Sequence, residues 1–452
     1  MPRHRQRRPG GRPADRWPAG WGAGGAGERR APLFAVLASS GASAAGSAMT
    51  MIAVPWFVLA STGSGAKTGM VAAAETVGLL VSLALAGPLI DRHGARRMSV
   101  LADLFTAAAV AVIPAAHAAG ALSAGLLAVL AFAVGLGRSP SRSAKHVLLP
   151  EAMSGAGIGT ERGTSAREAV QRAGDLVGAP AGGVLITMVG AAQVLLIDAA
   201  ALLVSALLVL ACVPTRRVSH HAPPVIPSGR IRGYLGDLAE TGRRLRADRL
   251  LLAVTGQCAA MNALLVGLLV VLVPAYGALV WHSSALVGAV IAALGAGGLL
   301  GALIYGWFGP RLGRWATFSA GFLLCGPPVY VVLAVDPPAT VLVALLALCS
   351  LGSGPLNPVV AALEYDRVPV ELRGRVCTAV NAGAVAALPV GAVLAGMLLD
   401  RVGPRAAVLV FGALCLAVCL CPLLFPIWRE MDRPAGLATP KRASVPLVIY
   451  SE

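Results

Sequence analysis

Charge is scarce in this chain. Only 13% of its 452 residues are Asp, Glu, Lys or Arg, against roughly 25% in a soluble domain that must solvate its whole surface. A soluble enzyme of this length is therefore excluded. Carboxylates are scarcer still, with 21 Asp and Glu against 37 Lys and Arg. Aromatic residues make up 5%, too few for a pocket lined by stacked rings. The eight Cys are scattered singly; the nearest to a cluster is Cys415, Cys419 and Cys421, and no zinc or redox spacing appears, so they read as small hydrophobes. No GxxxxGK[ST] phosphate loop exists, which leaves no site for ATP in this chain. No pair of carboxylates or metal-ligand spacing falls within an apolar stretch, so neither an enzyme nor a cofactor is expected.

What the chain has in abundance is apolar length. Hydrophobic residues make up 57% and the mean hydropathy is +0.76, as expected where lipid replaces polar surface. A spanning helix needs about 20 apolar residues, and runs of that length lie roughly at 33 to 60, 68 to 90, 98 to 118, 122 to 146, 164 to 189 and 192 to 213. A second set lies roughly at 250 to 275, 284 to 309, 314 to 334, 338 to 362, 374 to 399 and 405 to 428. Residues 1–32 are Arg-, Gly- and Pro-rich and read as a basic disordered tail, with the first helix retained as an anchor. Residues 214–249 form a linker whose YLGDLAETGRRLRADRLL reads as a helix lying on the membrane surface, and 429–452 form a second tail. The expected domains are thus 33–213 and 250–428, joined by the linker.

Lys and Arg are retained on the cytoplasmic side of short loops. With the amino terminus placed inside, all of the 37 basic residues fall inside except Lys67, Arg401 and Arg405, which fall outside, and Arg172, within a helix. Both termini are therefore expected in the cytoplasm and the chain in the plasma membrane. The net charge of +16 is thereby explained as a topology signal, with no nucleic-acid partner.

The two sets of runs carry an internal repeat. GPLIDRHGARR at 87 aligns with GWFGPRLGRWA at 306, keeping Gly87 with Gly306, Arg92 with Arg311 and Gly94 with Gly313, while Pro310 stands opposite Asp91. Pro180, Gly182, Val184 and Leu185 align with Pro389, Gly391, Val393 and Leu394. Two six-helix repeats with a path between them describe a transporter architecture.

At these stretches the chain resembles the major facilitator superfamily, and within it the twelve-helix exporters similar to macrolide and siderophore efflux proteins. The loop motif Gly-x-Leu-x-Asp-Arg-x-Gly-Arg-Arg of that superfamily is matched by Gly87, Leu89, Asp91, Arg92, Gly94, Arg96 and Arg97, with Ala95 where a basic residue is common. The stretch from Pro369 to Arg405 carries a Leu-Arg-Gly-Arg and Pro-x-Gly pattern typical of the branch. GDLVGAPAGGVL is similar to an antiporter motif through Gly178, Gly182 and Gly183, with its proline one place late at Pro180. The resemblance implies an all-α fold of twelve transmembrane helices in two six-helix bundles. It also implies that Asp91 docks near Arg373 and Arg375, at the start of helix eleven, when the transporter faces outward.

Ionisable groups inside spans cost roughly 2.5–3.5 kcal/mol and so mark candidate function. Glu75 lies in the outer half of the second span. Asp175 lies near mid-membrane in the fifth, one turn from Arg172, with which it either pairs or carries protons. Asp103 is expected to pair with Arg of the loop motifs, and Asp198 to reach the outer interface. Arg138 and Arg142 are placed at the cytoplasmic end of the fourth span, with Arg142 facing Asp91 or Asp103. Asn262, Gln257, Asn357 and Asn381 either line the path or bond between helices. The reading is a secondary transporter exporting small amphiphilic molecules against protons, acting as a monomer; proton-coupled uptake by the same fold and a non-transporting scaffold remain alternatives.

Overall fold

The computed structural model describes residues 26–214, 248–309, 312–368 and 373–432. These are almost wholly helical, with no strand among them. The first six helices are α1 (Ala26–Thr62), α2 (Gly65–His93), α3 (Ala95–Ala118), α4 (Ala124–Ala156), α5 (Thr160–Val189) and α6 (Ala191–Cys212). The second six are α7 (Arg249–Trp281), α8 (Ser284–Phe308), α9 (Arg314–Val335), α10 (Ala339–Arg367), α11 (373–402) and α12 (404–424). Residues 1–25 and 433–452 of the two tails, 215–247 of the linker with most of its proposed surface helix, and Pro310 and Arg311 lie outside the described residues; 26–32 belong to α1, and 429–432 to a short 3₁₀ helix, Pro426–Asp432.

Ten stretches are long and apolar enough to cross a membrane by length and composition. One of them, Ala379–Leu424, is broken at Gly403 (φ 78, ψ 171) and holds both α11 and α12. α5 is the remaining helix; its first half carries Arg167, Glu168, Arg172 and Asp175. The count is twelve, as the apolar runs predict.

Local chemistry sets many of the helix starts. Ser64, Ser123 and Ser283 each accept a hydrogen bond from a backbone N–H of the first turn, and Asp248 accepts from Leu250 and Leu251. These caps satisfy donors that the first turn leaves orphaned. α7 relaxes into two π-helical stretches, Gly267–Leu272 and Gly277–Trp281, while α9 is broken at Gly326 and α10 tightens to a 3₁₀ turn at Leu351–Ser353.

An even number of spans places the start of α1 and the end of α12 on one side, here called the terminal face, which also carries Asp91; the other side is the far face. The halves meet along two seams, α2 against α11 and α5 against α8. At the first, a Cβ on Gly69 would lie 2.4 Å from the Ala392 carbonyl oxygen; at the second, one on Gly183 would lie 2.4 Å from that of Ser284. Only glycine permits such backbone contact. The two helices that carry the aligned Pro-x-Gly stretches, α5 and α11, thus form the packing between halves, with α8 and α2 as their partners. Large apolar side chains such as Leu303, Met188 and Trp307 point outward, as lipid-facing surfaces require.

Candidate functional site

Between the halves lies a chamber of about 1110 Å³. α1 contributes Met51, α4 Arg138, α5 Arg172 and Asp175, α7 Met261 and Asn262, α10 Asn357 and Glu364, and α11 Asn381. Three of the four amides singled out in the sequence thus face the path; Gln257 does not, and is 5% exposed. Asn262 donates to the Ala384 carbonyl at 2.9 Å, joining α7 to α11 beside the chamber. Apolar surface predominates, with a few polar groups, as suits amphiphilic ligands.

The far face closes the chamber. Along the α5–α8 seam, the Ser284 hydroxyl donates to the Gly183 carbonyl at 2.8 Å and lies 2.8 Å from the Thr187 hydroxyl. Along the α2–α11 seam, Asp400 accepts bonds from Ser64, Gly65 and Ala66.

On the terminal face the loop motif is undocked. Asp91 is exposed and makes no hydrogen bond or ion pair with any described residue, and an added Cβ on Gly87 would meet nothing within 4 Å. Arg92 and Arg97 are exposed, while Arg96 donates to the Leu210 carbonyl of α6 at 2.5 Å. α11 begins at Arg373; the side chains of Arg373 and Arg375 lie outside the described residues. The structure therefore holds the conformation in which the far face is shut.

Several membrane charges sit elsewhere than the sequence suggests. Arg138 is not at the end of α4: the helix runs on to Ala156, 18 residues and about 27 Å further at 1.5 Å per residue. From mid-membrane it forms a 2.6 Å ion pair with Glu75 of α2. Asp103 does not pair with the loop arginines or with Arg142. Its carboxylate lies 2.9 Å from Lys145 Nζ, both side chains being 1% exposed, and it accepts from Ser141 and Ser205 as well. Lys145, which looks like a cytoplasmic anchor in the sequence, is wholly inside the first bundle and also donates to Ser43.

Arg142 instead faces an opening shared with Arg167, Glu168, Arg172 and Asp175. Arg172 pairs with Glu168 at 3.2 Å rather than with Asp175, since on a helix both i,i+3 and i,i+4 neighbours are within reach. Asp175 is left lining the chamber. Asp198 does not reach the interface: it is 1% exposed and bonded to Thr50 of α1. In the helix-five motif, Gly178 and Gly182 close onto Ala45 and Met49 of α1, Pro180 lies against Gly288 of α8, and Gly183 forms the seam.

Glu364 was missed in the sequence. It is 8% exposed, yet it lines the chamber at the terminal end of α10. Its place in EYDR, at the edge of an apolar run, made it look like loop.

The sequence profile of the Major Facilitator Superfamily matches residues 36–280 and 257–450. The chain belongs to the Major Facilitator Superfamily. Relatives within the superfamily include the multidrug efflux pump Tap of Mycobacterium tuberculosis (strain ATCC 25618 / H37Rv), 32% identical over 422 residues, covering 90% of this chain and 99% of that one. The Tap pump of Mycolicibacterium fortuitum is 32% identical over 412 residues, covering 89% and 98%. Among solved structures the fold is similar to the nucleoside transporter NupG, with TM-score 0.68 and 11% identity over 87% of this chain and 98% of that one. It is also similar to a bacterial homolog of the human lysosomal transporter Spinster in its inward-facing, unoccupied conformation, with TM-score 0.63 and 13% identity over 90% and 94%. A multi-pass transporter of this superfamily is not an enzyme, as the absence of a catalytic cluster in the sequence suggested.

Proposed function

We propose that this transporter exports small amphiphilic molecules, of the kind implied by multidrug efflux in its relatives, by alternating access in exchange for protons. The observation that carries the reading is the Glu75–Arg138 pair, at 2.6 Å with the side chains 18% and 23% exposed, in a wall where Arg138 also faces the chamber. A proton on the Glu75 carboxylate cancels its charge and ends the pair. Arg138 is then free to turn toward the chamber, where a cation beside the substrate lowers its affinity. Substrate and proton thereby compete, which is what exchange requires.

Of the four carboxylates and bases considered for coupling, Glu75 suits the task best. Asp103 is locked with Lys145 away from the chamber, Arg172 is tied to Glu168, and Asp175 lines the chamber with no ion-pair partner to release among the described residues. The terminal face is assigned to the cytoplasm on the basic-residue asymmetry, and the transporter acts as a monomer, each chain holding its own chamber. The Asp91 loop closes that face onto the start of α11 when the far face opens, the carboxylate then capping the helix.

Everted membrane vesicles containing the full chain provide the test. With an imposed inward-acid gradient, the wild type accumulates a lipophilic fluorescent substrate, and Glu75→Gln loses at least tenfold of that accumulation while still exchanging labelled for unlabelled substrate. Accumulation unchanged in Glu75→Gln would overturn the assignment, and accumulation only with the opposite gradient would favour uptake.

A further inference from the structure

The superfamily loop motif has a second match that is not the expected repeat at 306. GMLLDRVGPR, at 396–405, reads against GPLIDRHGAR, at 87–96, with Gly396 for Gly87, Leu398 for Leu89, Asp400 for Asp91, Arg401 for Arg92, Gly403 for Gly94 and Arg405 for Arg96. The first copy closes α2 on the terminal face; the second closes α11 on the far face.

Their backbones agree as well. Gly94 has φ 81 and ψ 144, and Gly403 has φ 78 and ψ 171. Both lie where only glycine is comfortable, and both join two helices through one residue. Superfamily halves contain nested inverted repeats, and a motif at opposite ends of α2 and α11 obeys that inversion.

The copies differ in what they touch. Gly87 has open space around it, whereas a Cβ on Gly396 would lie 2.3 Å from the Gly65 carbonyl oxygen and 3.0 Å from Gly69 Cα. Asp91 is undocked. Asp400 accepts from the Gly65 and Ala66 N–H groups at 2.5 and 2.9 Å and from the Ser64 hydroxyl at 2.8 Å. It thus caps the amino terminus of α2 from the other half of the molecule. A carboxylate there meets orphaned donors and the positive end of the helix dipole.

We infer that Asp400 is the far-face gate residue, an inverted counterpart of Asp91: its cap on α2 holds the far face shut, and export requires its release. The two aspartates then act on one equilibrium in opposite directions, Asp400 favouring the conformation described here and Asp91 the other. The inference rests on alternating access but not on protons, nor on Glu75.

The test reads conformation rather than transport. Paired spectroscopic probes on unnatural amino acids, at Ala121 and Thr340 on the far face and at His93 and Leu312 on the terminal face, report both openings in the full chain in nanodiscs. Hydrogen bonds to a charged acceptor are strong enough that Asp400→Asn should raise the far-open population at least tenfold, while Asp400→Glu restores much of the wild-type distribution. Asp91→Asn should move it the other way, and the double variant should return toward wild type. A merely misfolded variant would not be rebalanced by a second substitution. Unchanged far-face distances in Asp400→Asn, or a double variant shifted as far as Asp400→Asn alone, would overturn the inference. Failure of Glu75→Gln to alter vesicle accumulation would leave these distances untouched, so the two readings fail separately.

Discussion

Lys145 on α4 and Asp103 on α3 form an ion pair at 2.9 Å with both side chains 1% exposed. Three serines complete it. Ser43 and Ser205 accept from the ammonium, and Ser141 and Ser205 donate to the carboxylate. The cluster draws together α1, α3, α4 and α6, so a polar knot fixes the register of the first bundle.

Removing one partner of such a pair leaves an unpaired buried charge at a cost of about 3–5 kcal/mol, whereas replacing both with apolar groups can be nearly neutral. Lys145→Met should therefore lower the detergent melting midpoint markedly, and Asp103→Leu with Lys145→Met should recover most of the loss. Loss of helical circular dichroism on heating would read it. A double variant as unstable as the single would show that the serine network, not the charge balance, carries the stability.

Asp175 lines the chamber without an ion pair among the described residues. If the coupling proton rides on Glu75, Asp175→Asn should keep gradient-driven accumulation within about threefold of wild type and alter which substrates are carried, because differences at a single polar contact are worth about 1–3 kcal/mol. Loss of all gradient-driven accumulation, with exchange preserved, would transfer the proton to Asp175.

A third expectation concerns packing within the second half. A Cβ on Gly391 of α11 would sit 1.8 Å from the Ala263 carbonyl oxygen of α7, whereas one on Gly256 meets nothing within 4 Å. Gly391→Val should abolish the folded protein, seen as loss of a monodisperse peak in detergent. Gly256→Val, on the same pair of helices, should be tolerated. Equal behaviour of the two would mean that α11 shifts to absorb the clash.

Asp91 is exposed and makes no hydrogen bond or ion pair with a described residue in the far-closed conformation, so Asp91→Asn should change the stability of the fold by no more than about 0.5 kcal/mol, as at other uncoupled exposed sites. Export should nonetheless fall at least tenfold, because the missing cap is needed only after the far face opens. Replacing Pro310, which stands at the corresponding place in the repeat, should leave export near wild type. An equal loss there would count against a terminal-face gate that rests on the Asp91 loop alone.

The twelve helices and the two small-residue motifs were legible in the sequence because lipid imposes length and apolarity on every span. The charges were not. A scan that ends a span where charge begins stops α4 near residue 146, since Arg138, Arg142 and Lys145 resemble a cytoplasmic cluster. The helix in fact continues to Ala156. Glu75 neutralises Arg138 from 63 residues away, and Asp103 neutralises Lys145 from 42. Nothing in one strand of sequence reveals a partner on another helix. Asp400 was hidden for a related reason: with Arg401 and Arg405 it looked like an ordinary outer loop, and its resemblance to residue 91 becomes informative only once both glycines show the same turn.

Gly94 and Gly403 leave no slack between the helices they join. A longer connection would absorb a tilt of α2 or α11 in its own bending, but a single-residue elbow passes it to α3 and α12, whose outer surfaces carry Leu101, Phe105, Leu409 and Leu414. These two helices push directly on lipid chains. The thickness and lateral pressure of the bilayer consequently enter the energy of each latch, making the membrane a mechanical load on the cycle rather than a passive solvent around it.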